Sequence, residues 1–267
     1  MKKLRVLSLA AFALIIAGLN SCSKTDPVQQ LTNNELSAEV KAKITSLGFD
    51  VTDAYVTEGG YIVENDIFLT DEDLNQPIDW QSFYIAEVEQ YRTTKLVTGL
   101  PRNITIRVAS GVASSIIAAT DAAIARYNAE GLQLTFSRVT SGGNIVIKKA
   151  PNGAGYIASA GFPTSTGNPY SQILFNNTYG SWNANTLASI IAHEVGHCIG
   201  FRHTDYMDRS YSCGGGYYNE GASTVGAVHI PGTPTGPDAA SWMLACIGNG
   251  TNRPFNANDQ TALSTLY

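Results

Sequence analysis

The order of periodicities along this chain of 267 residues predicts an α+β protein. Three observations carry that prediction. Five short segments between residues 103 and 176 read as strands, the first alternating Ile104, Ile106 and Val108 with polar neighbours. Two longer segments repeat apolar residues every three to four positions, as helices with one buried face do. Beyond residue 203 the patterns give way to loop-rich sequence that closes in one more helix.

Taken in order, Asn33 to Ser46 is expected to be a short helix, with Leu36, Val40 and Ile44 four apart. Tyr55 to Leu69 alternates and is strand-like. Thr70-Asp71-Glu72-Asp73-Leu74 reads as a capped acidic turn or short helix. Gln81 to Thr94 is polar and aromatic, and a helix is expected there. Asn103 to Ala109 is the first strand of the main sheet. Ser114 to Glu130 is the first long helix, with Ile116, Ile117, Ala119, Ala123, Ile124 and Tyr127 on one side. Leu132 to Val139, Asn144 to Lys148, Gly155 to Ala160 and Ser171 to Asn176 are the other four strands. Thr186 to Ile199 is the second long helix, its core face Leu187, Ile190, Ile191, Val195 and Ile199 and its cap Asn183 or Asn185. Asn258 to Tyr267 is the closing helix.

The second long helix carries the chemistry. Residues 193 to 203 read H-E-V-G-H-C-I-G-F-R-H and hold three of the chain's four histidines. Residues four apart share a helix face, so His193 and His197 aim two imidazoles at one point. Gly200 can take the left-handed conformation that ends a helix and turns the chain. That turn brings back His203 as a third ligand. Three protein ligands leave a fourth position open, the catalytic arrangement of Zn2+ rather than the structural one. Glu194 is placed to act as general base on a zinc-activated water and then to hand the proton to a leaving amine. The plainer alternative, a buried helix that happens to carry histidines, fits H-E-x-x-H alone better than the full run.

The ends of the chain bound its compartment. Lys2, Lys3 and Arg5 precede an apolar run from Val6 to Leu19, the layout of a secretory signal over residues 1–21. Leu19-Asn20-Ser21-Cys22 resembles a bacterial lipobox, which would make Cys22 the lipidated first residue of the mature protein. The alternative is an ordinary cleaved signal. An exported cell-envelope lipoprotein or a secreted protein is therefore expected, touching the membrane only through Cys22. The domain plan is a tether and pro-like segment over residues 22–91 and a catalytic domain over residues 92–267. A net charge of −5 argues against nucleic acid as a partner. A monomer acting on a peptide or protein is expected. Of the other cysteines, Cys198 sits on the buried helix and is read as the free thiol. Cys213 and Cys246 are read as a bridge, though spacing by itself does not decide it.

The motif, with Gly200 and His203 at their offsets, is similar to that of the metzincin zinc peptidases. The strand and helix order resembles their catalytic domain, which implies a twisted mixed five-stranded sheet, two long helices and a small irregular C-terminal subdomain ending in a helix. Ser241-Trp242-Met243 resembles the family's Met-turn, which implies that Met243 lies beneath the metal ligands. Within the metzincins the chain looks like the bacterial dual-action HEIGH metallopeptidases, with the astacins as relatives. The resemblance implies a zinc metalloendopeptidase with His193, His197 and His203 as ligands and Glu194 as base.

The chain departs from the astacins at two places. Thr204 follows His203 where they have glutamate, and Ala245 stands where they have the tyrosine after the Met-turn. Tyr206 or Tyr211 is the weak candidate to replace that tyrosine. Asp205 is expected to orient a ligand or cap a turn, and lone His229 to be a loop hydrogen-bonder. Val63-Glu64-Asn65-Asp66-Ile67 resembles the astacin pro-segment motif, implying that Asp66 occupies the metal's open position in a zymogen. An exposed strand aspartate is the alternative. Residues 155–160 resemble the family's substrate-binding edge strand, and the loop between Arg209 and Pro237 would supply selectivity. Two other functions stay open: a zinc-bound adhesion module without turnover, and a peptidase toxin with one host target.

Overall fold

In the computed structural model the described residues are 36–47, 49–75, 90–217, 219–220, 226–234 and 238–267. The signal, Cys22, the polar tether and residues 81–89 of the expected helix over 81–94 lie outside them. The elements are α1 (Ala38–Ser46), β1 (Tyr55–Thr57), β2 (Gly60–Val63), β3 (Ile67–Leu69), α2 (Asp71–Leu74), β4 (Tyr91–Arg92), β5 (Arg102–Val108), α3 (Ser115–Ala129), β6 (Leu134–Arg138), β7 (Ile145–Lys149), β8 (Ala158–Ala160), β9 (Gln172–Phe175), α4 (Ala184–Ile199), α5 (Ser210–Cys213), β10 (Val228–His229) and α6 (Ala257–Leu266).

The main sheet is mixed and runs β1-β2-β3-β8-β9-β7-β5-β6. The five strands expected from sequence, β5 to β9, are all in it, but the sheet has eight strands rather than five. The extra three come from residues 55–69. That stretch alternates as one strand, yet it folds twice, at the turn between β1 and β2 and again at Glu64 and Asn65, both with positive φ (52° and 69°). The antiparallel ribbon then adds through β3, in parallel, to β8. Ile62 and Phe68 bury there against Tyr156 and Leu174. This burial offsets the cost of ordering the ribbon. The C-terminal end of the expected 81–94 helix is extended instead, because Tyr91 and Arg92 pair with His229 and Val228.

Above the sheet lies a helical layer of α3 and α4. Residues Thr186 to Ile199 of α4 are all buried, so the helix is an internal one, apolar nearly all round. Asn183 is its cap, its side chain accepting from the Asn185 amide. From α3, Ile116, Ala119, Ala123 and Tyr127 join the same core, and Tyr127 Oη donates to the Ala192 carbonyl at 2.7 Å. α6 begins with a capping box of Asn256 and Asp259. Tyr267 at its end donates to the carbonyl of Ile199, the last residue of α4. Cys213 and Cys246 form a disulfide and Cys198 is free and buried. No helix among the described residues is long and apolar enough to cross a membrane.

Candidate active site

His193 and His197 project from one face of α4, and Gly200 ends the helix with φ +113°. A side chain there would be strained and would press on Leu96 and the Lys95 carbonyl, both 2.8 Å from an ideal Cβ. The Gly200 amide closes onto the carbonyls of Gly196 and His197, and the Arg202 amide donates to Tyr91 O at 2.9 Å. The turn carries His203 back toward the helix.

Each imidazole is held by an acceptor on Nδ1: the Trp242 carbonyl at 3.0 Å for His193, the Phe201 carbonyl at 2.8 Å for His197, and Glu220 Oε1 at 2.9 Å for His203. A carbonyl oxygen only accepts, so Nδ1 carries the proton and Nε2 presents its lone pair. The Nε2 atoms of His197 and His203 lie 3.2 Å apart. Asp66 Oδ2 from the 63–67 turn lies 3.0 Å from His203 Nε2 and 3.7 Å from His193 Nε2. All four ligand atoms fall within 4.8 Å of one another. Buried His193 Nε2 and Asp66 Oδ1 have no hydrogen-bond partner among the described residues. Three convergent imidazoles and a carboxylate with orphaned donor atoms fit a divalent metal of the zinc kind. Without the metal, burial opposes charge on this cluster. The His203–Asp66 contact outweighs it, pushing His203 well up and Asp66 well below the usual carboxylate range.

Glu194 is buried beside the cluster, and its Oε2 has no partner among the described residues. Burial pushes its carboxyl well above the usual range, Asp66 adds to the rise, and His203 opposes it. Glu194, His193 and Asp66 line one cavity of about 250 Å³, together with Tyr156, Trp242 and Arg253. Under the helix lies Met243, fully buried. A Cβ on Gly196 would come 2.6 Å from Met243 Sδ. Glycine is thus required inside the motif for helix and floor to approach this closely.

A buried charge network surrounds His203. Glu220 bonds its Nδ1 and lies 3.0 Å from Arg209 Nε and 3.6 Å from Arg202 Nη2. Arg202 Nη2 also donates to Glu64 Oε2 at 3.2 Å, and Arg209 Nη1 to the Glu64 carbonyl at 2.7 Å. Burial and neighbouring Glu220 push the Glu64 carboxyl well up while Arg202 opposes. The guanidinium donates to that oxygen in either protonation state. Sequence reading passed over Glu220, Arg202 and Arg209. Glu220 stands seventeen positions after His203, beyond α5, so no local spacing announces it.

Other candidates fall elsewhere. Tyr206 packs edge-on against Tyr91 at 4.4 Å and Tyr211 is largely exposed; neither lines the cavity. Asp205 touches no histidine: it accepts from the Ala245 amide at 2.9 Å and from Ser212 Oγ, tying the 241–246 turn to α5. His229 lies 3.2 Å from Thr233 Oγ1 through Nε2, away from the cluster. Residues 155–158 line the cavity, but the edge of β8 is taken by β3.

The dual-action HEIGH metallo-peptidase family matches residues 61–267. Two structures of myroilysin align with the chain. One is 19% identical with a TM-score of 0.46, over 66% of this chain and 98% of its own length. The other is 18% identical with a TM-score of 0.42, over 69% and 92%. No curated protein matches.

Proposed function

The chain belongs to the dual-action HEIGH metallopeptidase family, and from that premise we propose that it is a zinc endopeptidase held latent by its own N-terminal segment. The convergence of three Nε2 atoms beside buried Glu194 carries the proposal. His193, His197 and His203 would hold the zinc, which when bound lowers the pKa of water and polarises a substrate carbonyl. Glu194 takes the proton from the attacking water and delivers it to the leaving nitrogen. A carboxyl raised by burial suits both roles, because it gains and loses a proton nearer neutral pH. The acceptors on the three Nδ1 atoms fix the ring orientations.

The latent state rests on where residues 63–67 lie. Asp66 Oδ2 stands among the ligand atoms. The Ala160 amide donates to the Asp66 carbonyl at 3.0 Å, and β3 occupies the β8 edge on which an extended substrate would form its main-chain bonds. Displacement of this segment would open both the metal and the strand. Export and lipidation at Cys22 complete the reading, supported by the basic start and apolar run of residues 1–21. If Cys22→Ser leaves the protein in the membrane fraction, the anchor is elsewhere.

The test is a peptide-library digest with zinc-loaded full-length wild type, Asp66→Ala and Glu194→Ala, before and after limited proteolysis of the N-terminal segment. Processed wild type and unprocessed Asp66→Ala should cleave. Glu194→Ala should bind zinc and lose roughly a thousandfold or more in rate. Cleavage by no form, with zinc bound, would return the protein to the adhesion-module reading.

A further inference from the structure

We infer that the cavity beside the histidines takes an acidic substrate side chain, from a residue flanking the scissile bond, and that Arg253 selects it. The inference deepens the endopeptidase reading and rests on it. Arg253 lines the same cavity as His193 and Glu194. Its backbone amide donates to Ser189 Oγ at 2.9 Å, and Ser189 lies one helical turn before His193 on α4. The Arg253 backbone is thereby placed about a turn, roughly 6 Å, along the helix from His193.

The cation is held but not neutralised. Nη1 donates to the carbonyls of Cys246 at 2.8 Å and Leu244 at 3.5 Å. Nε and Nη2 bond no described residue, and no carboxylate among the described residues lies within ion-pair distance of Arg253. Neither atom is buried without a partner, so both have access to solvent, and Arg253 lines the cavity. Arg202 and Arg209, by contrast, are placed on Glu64 and Glu220. The apolar part of the same cavity is lined by Ile190, Trp242, Leu244 and Ile247. A half-desolvated guanidinium with free donors in an apolar slot favours a carboxylate that can take two parallel hydrogen bonds. Burial disfavours the Arg253 charge, and Asp205 and Asp259 offset this only from a distance. A substrate carboxylate would supply the missing close partner.

The experiment uses the zinc-loaded full-length chain carrying Asp66→Ala, or wild type after limited proteolysis. A peptide library should show Asp or Glu enriched at one of the two positions flanking the cut. For matched peptides with Glu or Gln there, kcat/KM should favour Glu by about tenfold. Arg253→Gln should abolish that ratio, Arg253→Lys keep part of it, and Arg253→Glu invert it toward Lys substrates. Binding of the two peptides to Glu194→Ala should show the same preference without turnover. Cleavage with no acidic preference overturns this inference alone, as does a preference unchanged in Arg253→Gln. If that variant does not fold, the wild-type library and the Glu194→Ala binding ratio decide the matter. Cleavage by no form overturns the endopeptidase reading and this inference with it.

Discussion

Helix α4 and the 60–69 ribbon both bring side chains to the same cluster, yet they are held by different forces. α4 is an internal helix whose Leu187, Ile190, Ile191, Val195 and Ile199 pack into the main core. Each such side chain contributes roughly 1.5–3 kcal/mol. The ribbon joins the sheet through one registered pair, Ile67 with Ala160. It packs Ile62, Val63, Ile67, Phe68 and Leu69 into two smaller clusters outside the main core, and adds charge contacts of Glu64 with Arg202 and Asp66 with His203. Packing of the first kind is lost only on unfolding. Contacts of the second kind are exchanged when a competing charge or a cut arrives, which suits the displacement proposed for this segment.

The largest effect that would sharpen this contrast is expected from Glu64→Ala. Removing one partner of a buried charge contact costs about 3–5 kcal/mol. That loss should fall on docking of the ribbon, read as faster proteolysis within residues 36–75 and raised activity of the unprocessed chain. An equal loss in the thermal stability of the catalytic part would break the comparison. Glu220→Gln should weaken zinc binding about 10–100-fold by loosening His203, measured by competition with a chelator, while His193 and His197 stay packed. Gly196→Ala should lower stability by about 1–3 kcal/mol, since the new methyl group meets Met243. Thermal melts of the metal-free protein would read this without activity. The remaining effect concerns pH. Burial pushes Asp259 up to about 7 in the folded chain, against about 3.9 unfolded. The folded state then holds the proton more tightly, so this group's contribution to stability is greatest below pH 4 and falls as pH rises toward 7. Melting temperature against pH should show that fall in wild type and a flatter profile in Asp259→Asn.

Much of the site was legible because its spacing is local. Two histidines four apart and a glycine three residues on dictate a helix face and its end, and the observed Gly200 φ agrees. The bridge of Cys213 and Cys246 was reached by elimination, from burial of Cys198. Glu220 and Arg253 were not legible, because each meets the cluster or cavity through loops with no repeating pattern. The 55–69 stretch misled for another reason: alternation reports which face is buried, not where the chain doubles back. The turn residues are in the sequence, Gly59-Gly60 at the first fold and Asn65 at the second, where the positive φ falls on Glu64 and Asn65.

The sequence by itself determined the two long helices, the closing helix, the five central strands and the residues able to bind metal, because those depend on contacts a few residues apart. Tertiary structure alone decided that three further strands join the sheet. It also decided that Asp66 stands among the histidines and that Arg253 faces the cavity without a carboxylate beside it. Those facts depend on main-chain pairing and charge contacts between segments up to about 140 residues apart, which local periodicity does not encode.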